Sequence, residues 1–276
     1  MSTIPLRDTR VAYVEQGRGD PLVCVHGTLG SMRDFPSQIE FFSRSHRVIA
    51  YSRRFHPPNP ADQAGDPYSL SVHAADLAEL IEELGIAPAT VLGSSYGGYV
   101  ALYCATRHPG LIEKLVLGEP PMLPLLRKTE EGKTALAEFE STALSPARAA
   151  FASGDTRLGV KKFFDGVSGR PGTFDLLPPP SQEKLMESSG VLRHEMLTEP
   201  DEYMPSIHDD QISEARFPVL LLNGQKSPRL FVLITDELER LLPDTYRVQV
   251  PGAGHAIHLA NPAFYNETVA EFLVPE

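Results

Sequence analysis

No stretch of this 276-residue chain approaches the roughly 18 consecutive apolar residues that a membrane-spanning helix requires. Met1 to Arg10 also lacks the apolar segment of a secretory leader, so the sequence reads as that of a cytoplasmic protein. Basic charge is scarce: 25 Lys and Arg face 36 Asp and Glu, for a formal net charge of −11. With no basic stripe to offset that balance, nucleic acid and anionic membrane surfaces are not expected partners. Only two cysteines occur, Cys24 in an expected strand and Cys104 in an expected helix. They read as small buried apolar side chains rather than as a disulfide or metal site. Internal repeats and low-complexity tracts are absent as well. What remains is a 42% hydrophobic composition, enough for the core of one large domain or of a domain with an insertion.

Apolar runs set the organisation. Val11 to Glu15 and Pro21 to His26, separated by Gln16, Gly17, Arg18, Gly19 and Asp20, read as a hairpin closed by a glycine-rich turn. Arg47 to Tyr51 is a short strand, and Ser71 to Leu84 is a helix with one broad apolar face, ending at Gly85. Ala89 to Leu92 forms a strand, Tyr99 to His108 a helix and Lys114 to Leu117 another strand. The alternation then pauses. Pro120 to Phe217 holds proline clusters and helical stretches and reads as an inserted helical cap. It resumes with strands at Pro218 to Leu222 and Tyr246 to Val250 and helices at Phe231 to Leu242 and Pro262 to Leu273. Such alternation predicts a mostly parallel α/β sheet covered on both faces, with ligands at the carboxyl ends of its strands.

One of those strand ends carries Gly93, Ser94, Ser95, Tyr96 and Gly97. A G-x-S-x-G pattern between a strand and a helix has the form of a nucleophile elbow, in which the turn is so sharp that the flanking positions tolerate almost no side chain. A serine hydroxyl is a weak nucleophile and needs a base, and the base needs a carboxylate to orient it. His255 is the favoured base because Pro251, Gly252, Ala253 and Gly254 form a flexible loop that can carry it over a strand end; His258 is the alternative. His26 ends a buried strand and is read as a partner for loop backbone.

His26-Gly27, the elbow at Ser95 and Gly254-His255 resemble the α/β-hydrolase superfamily in type, order and spacing over nearly the whole chain. The resemblance implies an eight-stranded, mostly parallel sheet flanked by helices, its second strand antiparallel. It also implies a cap inserted after the sixth strand, so that 1–119 and 218–276 form the core and 120–217 the cap. Ser95 and His255 become nucleophile and base. The backbone N–H of Tyr96 and that of Thr28 or Leu29 become the oxyanion hole.

The acid departs from the family pattern. The place after the seventh strand where many relatives carry it holds Ser227, and no carboxylate lies between Pro218 and Thr235. Glu119, Asp209, Asp210 and Asp236 are the candidates. Glu119 closes the sixth strand just before Pro120 and Pro121, and this Glu-Pro-Pro stretch resembles zearalenone lactonases, so Glu119 is the expected third member. A second departure is Arg53, Arg54 and His56 at a strand end. They are read either as a site for a substrate carboxylate or as arginines paired with acids on adjacent loops. The cap's apolar residues, Met122 and Phe163 among them, either line a pocket for a hydrophobic group or pack the cap onto the sheet.

The expected activity is cofactor-free and metal-free hydrolysis of an ester or lactone of a small hydrophobic molecule through a Ser95 acyl-enzyme. Lyase or oxygenase chemistry on the same fold and a non-catalytic ligand-binding protein stand as alternatives. Dehalogenase and epoxide hydrolase chemistry is disfavoured because those nucleophiles are carboxylates.

Overall fold

The computed structural model describes residues 1–61 and 68–274. Its strands are β1 (Ser2–Pro5), β2 (Arg10–Gln16), β3 (Asp20–Val25), β4 (His46–Tyr51), β5 (Ala89–Ser94), β6 (Ile112–Gly118), β7 (Val219–Gly224) and β8 (Thr245–Val250). They form an eight-stranded sheet in the order β1-β2-β4-β3-β5-β6-β7-β8. β2 runs antiparallel to both of its neighbours, and the pairings from β4 through β8 are parallel.

The hairpin expected between β2 and β3 does not form. β4 lies between them, pairing antiparallel with β2 and parallel with β3. The glycines of the connection serve a crossing instead: a Cβ on Gly17 would stand 2.2 Å from the His46 carbonyl, and one on Gly19 would stand 2.4 Å from that of Ser45. Both have positive φ, 87° and 115°, so the loop lies directly on the start of β4 where no side chain fits.

The central strands are buried on both faces, and their side chains divide by parity. Val23, Val25, Val91, Leu115, Leu117, Val219 and Leu221 enter one core. The alternate residues Leu22, Cys24, Leu92, Val116, Leu220 and Leu222 enter the other. A period of two with both phases apolar is what a doubly covered parallel sheet demands. On the first side lie α2 (Leu70–Glu83), α3 (Tyr96–Arg107) and α12 (Arg229–Leu241); on the second lie α1 (Pro36–Phe42), α13 (Ile257–Ala260) and α14 (Pro262–Leu273). Local chemistry starts and stops these helices. The Ser69 hydroxyl accepts from the Val72 amide at the start of α2, Gly85 follows its end at φ 60°, and Asn261 caps α14 through the Phe264 amide. Cys24 and Cys104 are free and buried.

Between β6 and β7 the described residues contain helices and no strand. A 3₁₀ turn at Leu123–Lys128 leads to α4 (Glu130–Phe139), which passes through a π turn at Glu140–Leu144 into α5 (Ser145–Ala152). α6 (Thr156–Val167), α7 (Thr173–Leu176), α8 (Pro179–Met186), α9 (Ser189–Leu197), α10 (Pro200–Tyr203) and α11 (Asp209–Ser213) follow. This insertion has a small core of its own around Leu144, Phe151, Val160, Phe174 and Leu192. Phe164 belongs to it, its ring 6.1 Å from that of Phe174. The buried Asp165 carboxylate accepts from the Gly172 and Phe174 amides at 2.8 Å each and fixes the turn between α6 and α7.

Candidate active site

At the carboxyl end of β5 the chain reverses through Ser95 into α3. Ser95 has φ 52° and ψ −124°, a conformation that side-chain-bearing residues avoid and that persists only where the surroundings enforce it. Two glycines make room for it. A Cβ on Gly93 would lie 2.5 Å from the Gly98 Cα, and one on Gly97 would lie 2.2 Å from the Val25 carbonyl. The Ser95 amide donates to the Gly118 carbonyl at 2.7 Å, tying the elbow to the end of β6.

Glu119 follows at that end, also at positive φ, 50°. It is fully buried. One carboxylate oxygen accepts from the Gly224 amide at 2.9 Å and lies 3.4 Å from the Asn223 side-chain nitrogen. The other is 2.7 Å from Nδ1 of His255, whose Nε2 is 2.9 Å from the Ser95 hydroxyl. Because β6 and β7 are adjacent, with Gly118 opposite Leu222, a carboxylate just after β6 can stand beside the loop after β7. The hydroxyl of half-buried Ser227 in that loop is itself buried, close to Gly224. The other acids lie elsewhere. Asp209 pairs with Lys128, Asp236 with Arg247, and Asp210 is exposed on α11. His258, the alternative base, is buried against Phe35, and burial pushes its pKa down to about 4.

The Glu119 carboxylate at Nδ1 holds a proton there and leaves Nε2 to accept from Ser95. Phe231 stacks on the imidazole with ring centroids 4.0 Å apart, fixing its plane. The Tyr96 amide is the first of α3 and has no preceding turn to receive it. Across the elbow runs the loop after β3. A Cβ on Gly27 would lie 3.1 Å from that of Ser95, so Thr28 and Leu29 enter the loop beside Ser95. His26 braces this loop: Nδ1 donates to the Gly27 carbonyl at 2.8 Å and Nε2 accepts the Arg53 amide at 2.9 Å.

Arg53, Arg54 and His56 do not line the cavity, which goes against the substrate-carboxylate reading of them and, for Arg54, agrees with the reading as an arginine paired with acids. Arg53 is fully buried, donates to the Gly27 carbonyl at 3.2 Å and lies 4.7 Å from the Tyr96 ring centroid. Arg54 forms a two-point ion pair with Asp76, at 2.6 and 2.5 Å, and another pair with Asp8. His56 bonds the Gly30 carbonyl at 3.0 Å. These side chains turn inward to support the loops instead of outward at the strand end. Met122 is likewise buried, in the first core, and is not on the pocket wall.

A cavity of about 490 Å³ opens above Ser95. Thr28, Ser95, Tyr96 and Phe231 come from the sheet side, and the insertion supplies Leu123, Leu136, Phe139, Leu144, Phe163 and Met196. Phe163 is therefore a wall residue as well as packing, with Phe164, against the insertion's core. Glu195 of α9 also lines the cavity and is 3% exposed. Nothing in Arg193-His194-Glu195 distinguishes it in sequence from a solvated helical glutamate.

Comparisons place this geometry among known proteins. A family model described as alpha/beta hydrolase fold matches residues 20–262. A putative 2-succinyl-6-hydroxy-2,4-cyclohexadiene-1-carboxylate synthase from Bacillus subtilis (strain 168) is 26% identical over 280 aligned positions, covering 96% of this chain and 94% of the relative. Among solved structures, an N-acyl homoserine lactone degrading enzyme superposes with a TM-score of 0.76 at 19% identity, covering 99% of this chain and 100% of that one. A Bacillus subtilis carboxylesterase gives 0.73 at 20% identity, covering 99% and 90%. The sheet order, the elbow at its centre and the family match together show that the chain belongs to the α/β-hydrolase family.

Proposed function

We propose that the protein is a serine hydrolase that cleaves a carboxylic ester or lactone of a small hydrophobic molecule. The observation that carries this reading is the continuous chain from the Ser95 hydroxyl through His255 to buried Glu119, at 2.9 and 2.7 Å, opening into an apolar cavity. His255 takes the Ser95 proton as the hydroxyl oxygen attacks the carbonyl carbon. Glu119 holds the imidazolium that results, and the amides of Tyr96 and of Thr28 or Leu29 receive the oxyanion. Collapse of the tetrahedral intermediate passes the proton from His255 to the departing alkoxide and leaves the acyl group on Ser95. Water, deprotonated by the same imidazole, then releases the acid. Residues 120–217 act in this reading as a cap that shapes the pocket.

A second reading, elimination with His255 as base and no acylation, draws on the synthase named for the full-length Bacillus relative. Fluorophosphonate labelling of Ser95, together with turnover of short-chain p-nitrophenyl esters that is abolished in Ser95→Ala, supports hydrolysis. A wild-type protein that ignores both reagents overturns it.

A further inference from the structure

Most charged side chains around the cavity reach solvent: Arg127 and Lys133 are exposed, and the half-buried Arg148 pairs with Glu140. Glu195 does not. Its carboxylate is buried in a largely apolar wall, a placement that costs several kcal/mol unless its lone pairs are served. Tyr68 serves one oxygen, donating to Oε1 at 2.7 Å.

Burial and the neighbouring groups act on this carboxyl in opposite senses, and burial prevails. Burial raises the Glu195 pKa, and the field of Arg53 and the hydroxyls of Tyr68, Tyr203 and Thr28 oppose that rise. The position is also rigid. Tyr203, from the insertion, stacks nearly parallel to Tyr68 and to Tyr96, with centroids 5.9 and 5.2 Å apart and interplanar angles of 8° and 6°. The Arg53 guanidinium lies over the Tyr96 ring, 4.7 Å from its centroid. Thr28 links this cluster to the chemistry: it belongs to the oxyanion loop, and its hydroxyl interacts with Glu195. A substrate carbonyl held by that loop would lie in the cavity whose wall includes this carboxylate. A carboxylate has about four acceptor sites; the hydroxyls of Tyr68, Tyr203 and Thr28 account for three, and one is left for a donor in the cavity that Glu195 lines.

We propose that Glu195 receives a hydrogen-bond donor, a hydroxyl or amide N–H, on the substrate carbon beside the scissile carbonyl. α-Hydroxy and α-acylamino esters or lactones are then the substrate class. This rests on the hydrolase reading and narrows it.

The test compares methyl mandelate with its methoxy analogue, methyl α-methoxyphenylacetate, and with methyl phenylacetate, hydrolysis being followed by acid release at constant pH. The wild type should favour the hydroxyl ester over the methoxy ester by about tenfold in kcat/KM, the scale of one charge-assisted hydrogen bond. Glu195→Gln should collapse that ratio towards unity. Tyr68→Phe, which frees Oε1, should keep it. Should Glu195→Gln fail to fold, Glu195→Asp, with its carboxylate drawn back by one methylene, should likewise reduce the ratio. A wild-type ratio near unity, or a Glu195 variant that slows all three esters in parallel, overturns the inference and leaves a merely structural carboxylate. Fluorophosphonate labelling of Ser95 without turnover of any of the three esters also overturns the inference, while leaving the nucleophile in place. Failure of both labelling and turnover removes the hydrolase reading with it.

Discussion

Ser95 and Glu119 share an unusual backbone conformation, with φ 52° and 50°, and each marks the end of a strand at the centre of the sheet. Left-handed residues that carry side chains are costly, and they persist where packing over-determines them. Here the constraint places a hydroxyl and a carboxylate on opposite sides of His255. Glu119→Gln retains the size of the side chain but offers an amide to Nδ1, which favours the wrong imidazole tautomer. On the scale of the same exchange in a Ser-His-Asp protease, kcat for ester hydrolysis should fall by about 10⁴-fold, measured by steady-state kinetics; a near-wild-type rate contradicts the assignment of Glu119. That Ser95 and His255 would meet was expected from their glycine-rich turns, and Glu119 was expected beside them from its place at the end of β6 and from the resemblance of its Glu-Pro-Pro stretch to zearalenone lactonases, the contacts now seen at 2.9 and 2.7 Å. Arg53 and Arg54 were ambiguous because a strand end gives no sign of which way a side chain turns. The partner that decides Arg54 is Asp76, on α2. Glu195 was illegible for a similar reason: only the folded insertion brings it over Ser95.

Among the elements, the elbow and the insertion make different demands. At the elbow the limit is space. Gly97→Ala would drive a Cβ to 2.2 Å from the Val25 carbonyl, so β3 and α3 would have to separate. A stability loss above about 4 kcal/mol is expected, read as a lower midpoint in urea denaturation or as failure to fold; an unchanged midpoint contradicts the close approach. In the insertion the limit is backbone satisfaction. Asp165→Ala would strip the Gly172 and Phe174 amides of their acceptor and should cost about 2–6 kcal/mol, since each shielded donor left unpaired costs about 1–3. Urea denaturation reads this as well, and a loss below about 0.5 kcal/mol, usual for an innocuous surface change, contradicts the role. Strands with both phases apolar were readable in sequence. β1 was not, because its four residues are mostly exposed on the edge of the sheet, and the β2–β3 hairpin was misread because a glycine-rich connection is equally suited to crossing another strand. The short helices of the insertion left little period to follow.

For the whole molecule, a cluster of neutral histidines makes stability depend on acidity. Burial holds His26, His56 and His73 well below their ordinary pKa of 6.5, and it holds His258 at about 4. In the unfolded chain each protonates near 6.5, so between pH 6.5 and 4 the unfolded state binds more protons and stability falls as pH falls. His258 alone accounts for about 3.5 kcal/mol across that shift, at about 1.4 kcal/mol per pH unit. Calorimetry should show Tm falling steeply from pH 6.5 towards 4 and little affected by these groups above 6.5; a flat acid limb contradicts their buried neutral state. The same fold that seals these rings leaves one apolar cavity wall open beside Ser95, and acylation there is the central claim. Rapid-quench mass spectrometry during turnover of a p-nitrophenyl ester tests it most directly. The account predicts an acyl mass on the peptide that carries Ser95, lost in Ser95→Ala together with turnover. Turnover with no adduct, or an adduct on another residue, would contradict it.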